Sequence, residues 1–308
     1  VEGGKATGVE LIDGTRLTAG SEVILSSGSI GSPRLLQLSG IGPADELRKL
    51  GIDIAYDQPE VGSNLQDHLD LYCICEVSGP HTYDRYAKPL LSVLAGLQYL
   101  LTRRGPVSSS LFETGGFWYA NPDARSPDLQ FHLGLGTGIE SGVAAMPDGG
   151  VTLNSCYLRP RSRGSVHLKS SNPADAPLID PNYLQDSQDR EMSIRGLKLT
   201  QEILAQAPLK PFIKAEHLPG PGVKTDEDYF RFICEHSKTS HHPAGTCRMG
   251  SDDKAVVDPR LRFNGVDGLR VVDASIMPTV VSSNTNAAAI MIGEKASDMI
   301  RQDHGALS

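Results

Sequence analysis

The chain has no apolar run near the roughly 18–20 residues that a membrane-spanning helix needs. Close to its end, the stretch Ala287 to Ile292 covers less than two helical turns. A basic surplus is also missing: the net charge is −8, which argues against nucleic-acid binding, because phosphate contacts need a positive surface. Five cysteines (Cys73, Cys75, Cys156, Cys234 and Cys247) include no C-x-x-C pair. An odd count in a chain this long suggests no disulfide framework, and no metal site is expected. Reduced, mostly buried thiols are expected instead, with Cys73 and Cys75 on one face of a strand. No repeat, low-complexity tract or linker is present. The opening Val-Glu-Gly-Gly shows no basic and apolar leader, so no signal peptide is visible. A cytoplasmic location is expected, with targeting unread. The glycine fingerprint of a dinucleotide fold is missing too. Gly134-Leu-Gly136-Thr-Gly138 comes nearest, but its third glycine is one place early and no βαβ unit follows.

With 308 residues, the chain can bury a sizeable core as one large or two modest domains. Ser21 to Leu25 reads as a compact apolar strand. It runs into Ser26-Ser27-Gly28-Ser29-Ile30-Gly31-Ser32-Pro33, small residues with a proline near an expected helix start. Ala44 to Leu50 reads as a short helix closed by Gly51, and Ile52 to Tyr56 as another strand. From about Leu69 the character changes. Leu90 to Arg104 reads as an apolar helix ended by Gly105-Pro106. Leu129 to Leu133 and Ser165 to Leu168 alternate as half-exposed strands do. Asp189 to Ala207 carries Ile194, Leu197 and Leu204 on one helical face, and Thr225 to Asp228 has capping-box spacing. The middle block reads as an insertion between two parts of one nucleotide-binding fold.

Chemistry concentrates near the end. In Ser240-His241-His242-Pro243-Ala244-Gly245-Thr246-Cys247-Arg248-Met249-Gly250, a histidine sits in a rigid Pro/Gly frame. Adjacent side chains on extended chain point to opposite sides, so only one of His241 and His242 easily enters a given pocket. Asn286 follows His242 by 44 positions. A base for a hydroxyl proton and an amide for the oxygen left behind suit chemistry on an alcohol. Asn284 reads as the N-cap of a last helix, Thr285 to Arg301, which places Asn286 in its first turn.

These motifs, with Gly28-Ser29-x-x-Ser32-Pro33-x-Leu35-Leu36-x-x-Ser39-Gly40-Ile41-Gly42 and Val61-Gly62-x-Asn64-Leu65-Gln66-Asp67-His68, resemble the C-terminal half of the glucose–methanol–choline family of flavin-dependent oxidoreductases. The likeness runs from about Val9 to Arg301. It implies an α/β fold with an α+β substrate domain, lacking the N-terminal Rossmann fingerprint. Residues 1–68 would form part of the flavin-binding domain, 69–235 the substrate-binding domain, and 236–308 a return to the flavin domain. The chain is therefore expected to be a fragment.

The resemblance further implies bound flavin adenine dinucleotide (FAD), with His242 as catalytic base and Asn286 as second catalytic residue. Gly28, Ser240, His241, Asp273, Ala274, Asn286 and Ala287 would contact the cofactor, although Asp273 could simply cap a turn. Glu113 matches a glutamate that faces substrate in choline-oxidising relatives; a structural hydrogen bond is the alternative. The implied reaction is oxidation of a primary alcohol to an aldehyde, with oxygen, a quinone or another electron acceptor. A non-catalytic fragment and a flavin-containing cyanohydrin lyase remain alternatives.

Overall fold

The structure, a computed structural model, describes residues 1–79, 82–137, 146 and 149–305. In chain order its elements begin β1 (Gly8–Glu10), β2 (Arg16–Thr18), β3 (Val23–Leu25), α1 (Gly28–Leu38), β4 (Ile41–Gly42), α2 (Ala44–Lys49) and β5 (Tyr56–Asp57). Next come β6 (Leu69–Val77), α3 (Pro89–Thr102), β7 (Phe112–Trp118), β8 (Leu129–Gly134), β9 (Gly150–Tyr157), β10 (Ser165–His167) and β11 (Leu178–Asp180). The last are α4 (Ser187–Leu204), β12 (Ile213–Leu218), α5 (Asp226–His236), β13 (Lys238–Thr239), β14 (Leu269–Val271) and α6 (Asn286–Asp303). Gly138, the end of the weak glycine pattern, lies outside the described residues.

The chain divides into two compact units. The first gathers Val1–His68, Arg159–Asp186 and the residues from His241 onward; the second holds Leu69–Leu158 and Ser187–Ser240. The change of character at residue 69 thus coincides with a unit boundary. The excursion at 159–186 was not legible from composition. It joins the first unit because buried Gln37 of α1 reaches it: its Nε2 donates to the Val166 carbonyl at 2.8 Å, and its Oε1 accepts the Leu168 N–H at 3.0 Å.

In the first unit β3 and β14 pair in parallel, Val23 opposite Leu269 and Leu25 opposite Val271. Helix α1 leaves β3 directly and buries Ser29, Ser32, Pro33, Leu36 and Gln37. Pro33 stands inside the helix, not near its start as the sequence suggested. A proline has no N–H, so the Ser29 carbonyl four residues back loses its helical donor. The Thr246 hydroxyl takes that place at 2.6 Å, which turns a helix defect into an anchor for the His242 segment. Around this anchor lies a core of Leu25, Leu36, Val61, Ala244, Cys247 and Val271, among others. Burying such side chains typically contributes about 1.5–3 kcal/mol each, so the segment carrying His242 is fixed by the core itself.

The second unit is built on an antiparallel sheet in the order β12-β6-β9-β8-β7, with β13 pairing the start of β6. Both faces of β6 are buried, including Cys73 and Cys75. Of the remaining cysteines, Cys156 and Cys247 are buried and Cys234 is exposed. Helix α4 packs on β9 and β6 through Met192, Ser193, Gly196, Leu197, Thr200 and Leu204. Ile194, expected on that face, is only half-buried. Helix α5 opens with the capping box foreseen at Thr225 and Asp228.

Candidate active site

Residues 62–68 and 242–247 run side by side in the first unit. Gln66 and Ala244 exchange both backbone hydrogen bonds, at 3.0 and 2.8 Å, and the Gly62 N–H donates to the Thr246 carbonyl at 2.8 Å. On its other side the segment meets the turn after Asp273. There the Cys247 N–H donates to Ser275 and the Met249 N–H to Ile276, each at 2.8 Å. Three stretches distant in sequence are thereby held in one layer.

His241 has a left-handed backbone, φ 61°. That conformation is uncommon outside glycine and turns the chain between the two histidines. His241 is exposed, whereas His242 is buried with only 7% of its surface accessible. The site forms around His242. Its Nε2 lies 2.9 Å from the Asn284 Nδ2, and its Nδ1 lies 3.1 Å from Nδ1 of the fully buried His68. The two rings meet edge to face, 5.2 Å between centroids and 81° between planes. The His242 backbone N–H donates to Asp67 Oδ1 at 2.9 Å, while the Tyr183 hydroxyl donates to Asp67 Oδ2 at 2.6 Å. A buried carboxylate is tolerated when hydrogen bonds satisfy it, and here both oxygens are engaged.

The motif from Asn64 to His68 works as a scaffold. Asn64 Nδ2 donates to the Gly245 carbonyl at 3.0 Å, and its Oδ1 accepts from Arg163 Nε at 3.0 Å. Gln66 Nε2 donates to the Pro278 carbonyl at 3.1 Å, and its Oε1 accepts the Val280 N–H at 3.2 Å. The chain leaving Val280 leads within four residues to Asn284. One short motif therefore grips the histidine loop and also the segment that supplies the amide.

The amide beside His242 belongs to Asn284, where the sequence reading had placed Asn286. Helix α6 is capped by the Thr285 backbone with no side-chain cap bond, so Asn284 stays outside the helix and its amide turns to the imidazole. Asn286 becomes the first helical residue and, with Ala287, is exposed. Asp67, His68 and Tyr183 carried no role in the sequence reading. For Asp67 and His68 the signal was an acid and an imidazole closing a motif with no other ionisable side chain.

Gly28 and Asp273, both expected to touch cofactor, meet each other. Asp273 Oδ2 accepts the Gly28 N–H at 2.9 Å and the Ser32 hydroxyl at 2.5 Å, while Oδ1 accepts the Ser275 N–H at 2.8 Å. Asp273 therefore does cap a turn, and it ties the Ala274 turn to the start of α1. The Ser29 and Ile30 N–H groups of that helix find no acceptor among the described residues. No acidic residue stands in its first turn, and the Gly28 Cα faces open space. This arrangement fits the phosphate of a dinucleotide such as FAD.

Two expected site residues belong to the second unit. The Ser240 hydroxyl is buried without a hydrogen-bond partner among the described residues. Glu113 on β7 is exposed and accepts hydroxyl hydrogen bonds from Ser109, at 2.5 Å, and from Tyr83. Those bonds, Ser109's first, hold its carboxyl below the usual range.

Residues 1–70 and 160–293 match the models of the N-terminal and C-terminal domains described as GMC oxidoreductase. The match over 1–70 corrects the expectation of a purely C-terminal portion. The chain is 43% identical over 303 residues to the alcohol dehydrogenase [acceptor] of Pseudomonas putida, covering 96% of this chain and 55% of that protein. It is 44% identical over 305 residues to human mitochondrial choline dehydrogenase, covering 97% and 51%. The chain thus spans about half the length of these curated relatives. Among solved structures, formate oxidase of Aspergillus oryzae superposes with a TM-score of 0.90 at 28% identity, covering 99% of this chain and 59% of that one. Pyridoxine 4-oxidase from Mesorbium loti superposes with a TM-score of 0.84 at 31% identity, covering 99% of this chain and 56% of that one.

Proposed function

The chain belongs to the GMC oxidoreductase family, and on that premise we propose that it serves the oxidation of a primary alcohol to an aldehyde, with His242 as the base. The observation that supports this reading is the line Asn284, His242, His68, all in one unit. With the Asn284 amide nitrogen as donor, Nε2 of His242 is the acceptor, and the ring proton sits on Nδ1 toward His68. That tautomer leaves a lone pair at the outer nitrogen. An alcohol arriving there gives its hydroxyl proton to Nε2, and the Asn284 N–H shifts its hydrogen bond to the oxygen, stabilising the charge that develops. Asp67 holds the loop by the His242 backbone, so the imidazole keeps its place while its charge changes.

Ser29, Ile30 and the Asp273-Ala274 turn would hold the phosphate portion of FAD. When bound, FAD supplies the acceptor for the hydride leaving the carbinol carbon. The substrate was expected to meet Glu113, but its two hydroxyl partners favour the structural alternative.

The test is an anaerobic titration of the FAD-loaded protein with primary alcohols, followed by flavin absorbance. Alcohol-dependent bleaching is expected, slowed at least about 10²-fold in His242→Ala with FAD still bound, and only mildly in His241→Ala. Bound flavin that no alcohol bleaches would sink the reading. Cyanohydrin cleavage without bleaching would replace it with the lyase alternative.

A further inference from the structure

Helix α3 carries no charged residue in its 14 positions, yet it buries only Ala95. Leu90, Val93, Leu94, Leu97, Leu100 and Leu101 are all exposed, Leu90 to 71% and Leu101 to 83%. At 100° per residue these six fall within roughly a 120° arc, one continuous stripe along the helix. An outward helical face ordinarily carries charges; this one is entirely leucine and valine. At 1.5 Å per residue the helix is about 21 Å long, short of the roughly 30 Å hydrocarbon core of a bilayer. No helix of the described residues is long and apolar enough to cross a membrane.

Cations stand at both ends. Lys88 is the N-cap, and Arg103 and Arg104 follow the last turn. All three are exposed, and none has an acidic partner among the described residues. The Arg103 guanidinium lies 5.4 Å from the centre of the Tyr99 ring. A lysine at a helix N-terminus opposes the macrodipole, so local helix stability does not explain it.

The charges discriminate between possible occupants of the stripe. Two copies paired antiparallel through α3 would set Lys88 against the other copy's Arg103 and Arg104. A parallel pair would set like ends together. Either arrangement brings cation to cation. An anionic lipid surface meets both ends favourably and accepts the stripe between them.

We propose that α3 is an in-plane membrane-contact helix, which seats this protein on an anionic lipid bilayer with its leucine stripe among the acyl chains. The charged ends sit at headgroup level, and the helix lies along the surface without crossing it. This inference is independent of the proposed oxidation, since it uses no residue of the His242 site.

Sedimentation with vesicles of phosphatidylcholine, with and without phosphatidylglycerol, tests it. Saturable binding is expected to the anionic vesicles, weakening as salt rises. Arg103→Gln with Arg104→Gln should weaken that binding roughly tenfold, since each cation near such a surface contributes to attraction. Leu97→Glu with Leu101→Glu should abolish it, while circular dichroism and melting temperature stay near the parent's, because both side chains are already exposed. Failure to bind either vesicle overturns the proposal. So does binding that survives the double glutamate variant, which places the lipid contact elsewhere. A concentration-dependent dimer that the glutamate variant dissociates would also overturn it, identifying the stripe as a surface between copies.

Discussion

His68 and His242 face each other through their Nδ1 atoms at 3.1 Å, inside the core that also carries the histidine loop. Two imidazole nitrogens at hydrogen-bond distance share one proton, because two N–H groups would collide and two lone pairs would repel. The state of His68 therefore sets the tautomer of His242, and with it which nitrogen is free to accept a substrate proton. His68 is a positioning residue on this reading. His68→Ala should lower kcat about 10–100-fold with little change in KM, the scale of a misplaced catalytic group. His68→Asn keeps an acceptor near the same place and should recover part of the loss. A His68→Ala enzyme with parental kcat, or one changed only in KM, would return His68 to simple packing.

The two asparagines make a sharper comparison. Asn284 touches His242 Nε2, and Asn286 starts α6 two residues later. Asn284→Ala should cost about 10²-fold in kcat, as loss of a donor to a developing oxyanion does. Asn286→Ala should stay within about threefold of the parent. The reverse order in steady-state kinetics would show that the amide seen beside the imidazole is not the one that works.

How much of this was legible beforehand depended on range. The strand at Leu129 to Leu133 and the helix closed by Gly105 announced themselves through period and punctuation, which are local signals. The Thr225 capping box was local in the same way. Asn284 was misjudged because its position turns on where α6 begins, and helix boundaries are uncertain by a residue or two from sequence. Membership of residues 159–186 in the first unit rests on the Gln37 side chain reaching Val166 and Leu168, a contact across about 130 residues with no local trace. The pairing of Asp67 with the His242 backbone is of the same kind.

Glu113 offers a test of substrate class. Its carboxylate is exposed and already serves the Tyr83 and Ser109 hydroxyls. Exposed charges attract only weakly through water. Glu113→Gln should therefore change KM for an ammonium alcohol and for a neutral alcohol of similar size by the same factor. A selective rise for the ammonium substrate would give Glu113 a cation-binding role instead.

Arg270 on β14 is buried and bridges Glu22 and Asp303, each at 2.6 Å, which fastens the C-terminal end of α6 to the strand pair. Hydrogen bonds from Arg270, and then from Arg260, hold the Asp303 carboxyl at about 2. A depressed acid contributes stability above its unfolded value, ordinarily near 3.8, and loses it as pH falls through the folded value. Melting temperature should accordingly drop between about pH 4 and pH 2. Asp303→Asn should flatten part of that limb. Asp252, held at about 2 by Arg248, would maintain the rest. An acid limb identical in Asp303→Asn and parent would mean that this link adds nothing.

Two glycines with left-handed backbone separate local strain from site geometry. Gly28 has φ +76°, and a β-carbon there would meet nothing within 4 Å. Gly28→Ala should cost only the conformational penalty, about 1–2 kcal/mol. Gly245 has φ +94°, and its β-carbon would lie 2.7 Å from the Asn64 carbonyl oxygen and 2.9 Å from Gln66 Nε2. These belong to the scaffold that fixes the His242 loop and the segment leading to Asn284, and the first is backbone, which cannot swing aside. Gly245→Ala should thus be the less stable of the two in denaturant unfolding. It should also lose turnover beyond what its unfolded fraction explains, because the base and the amide would no longer meet at 2.9 Å. If both variants lose equal stability and Gly245→Ala keeps parental turnover per folded molecule, then the contact between residues 64–66 and the histidine loop does not set the geometry of the site.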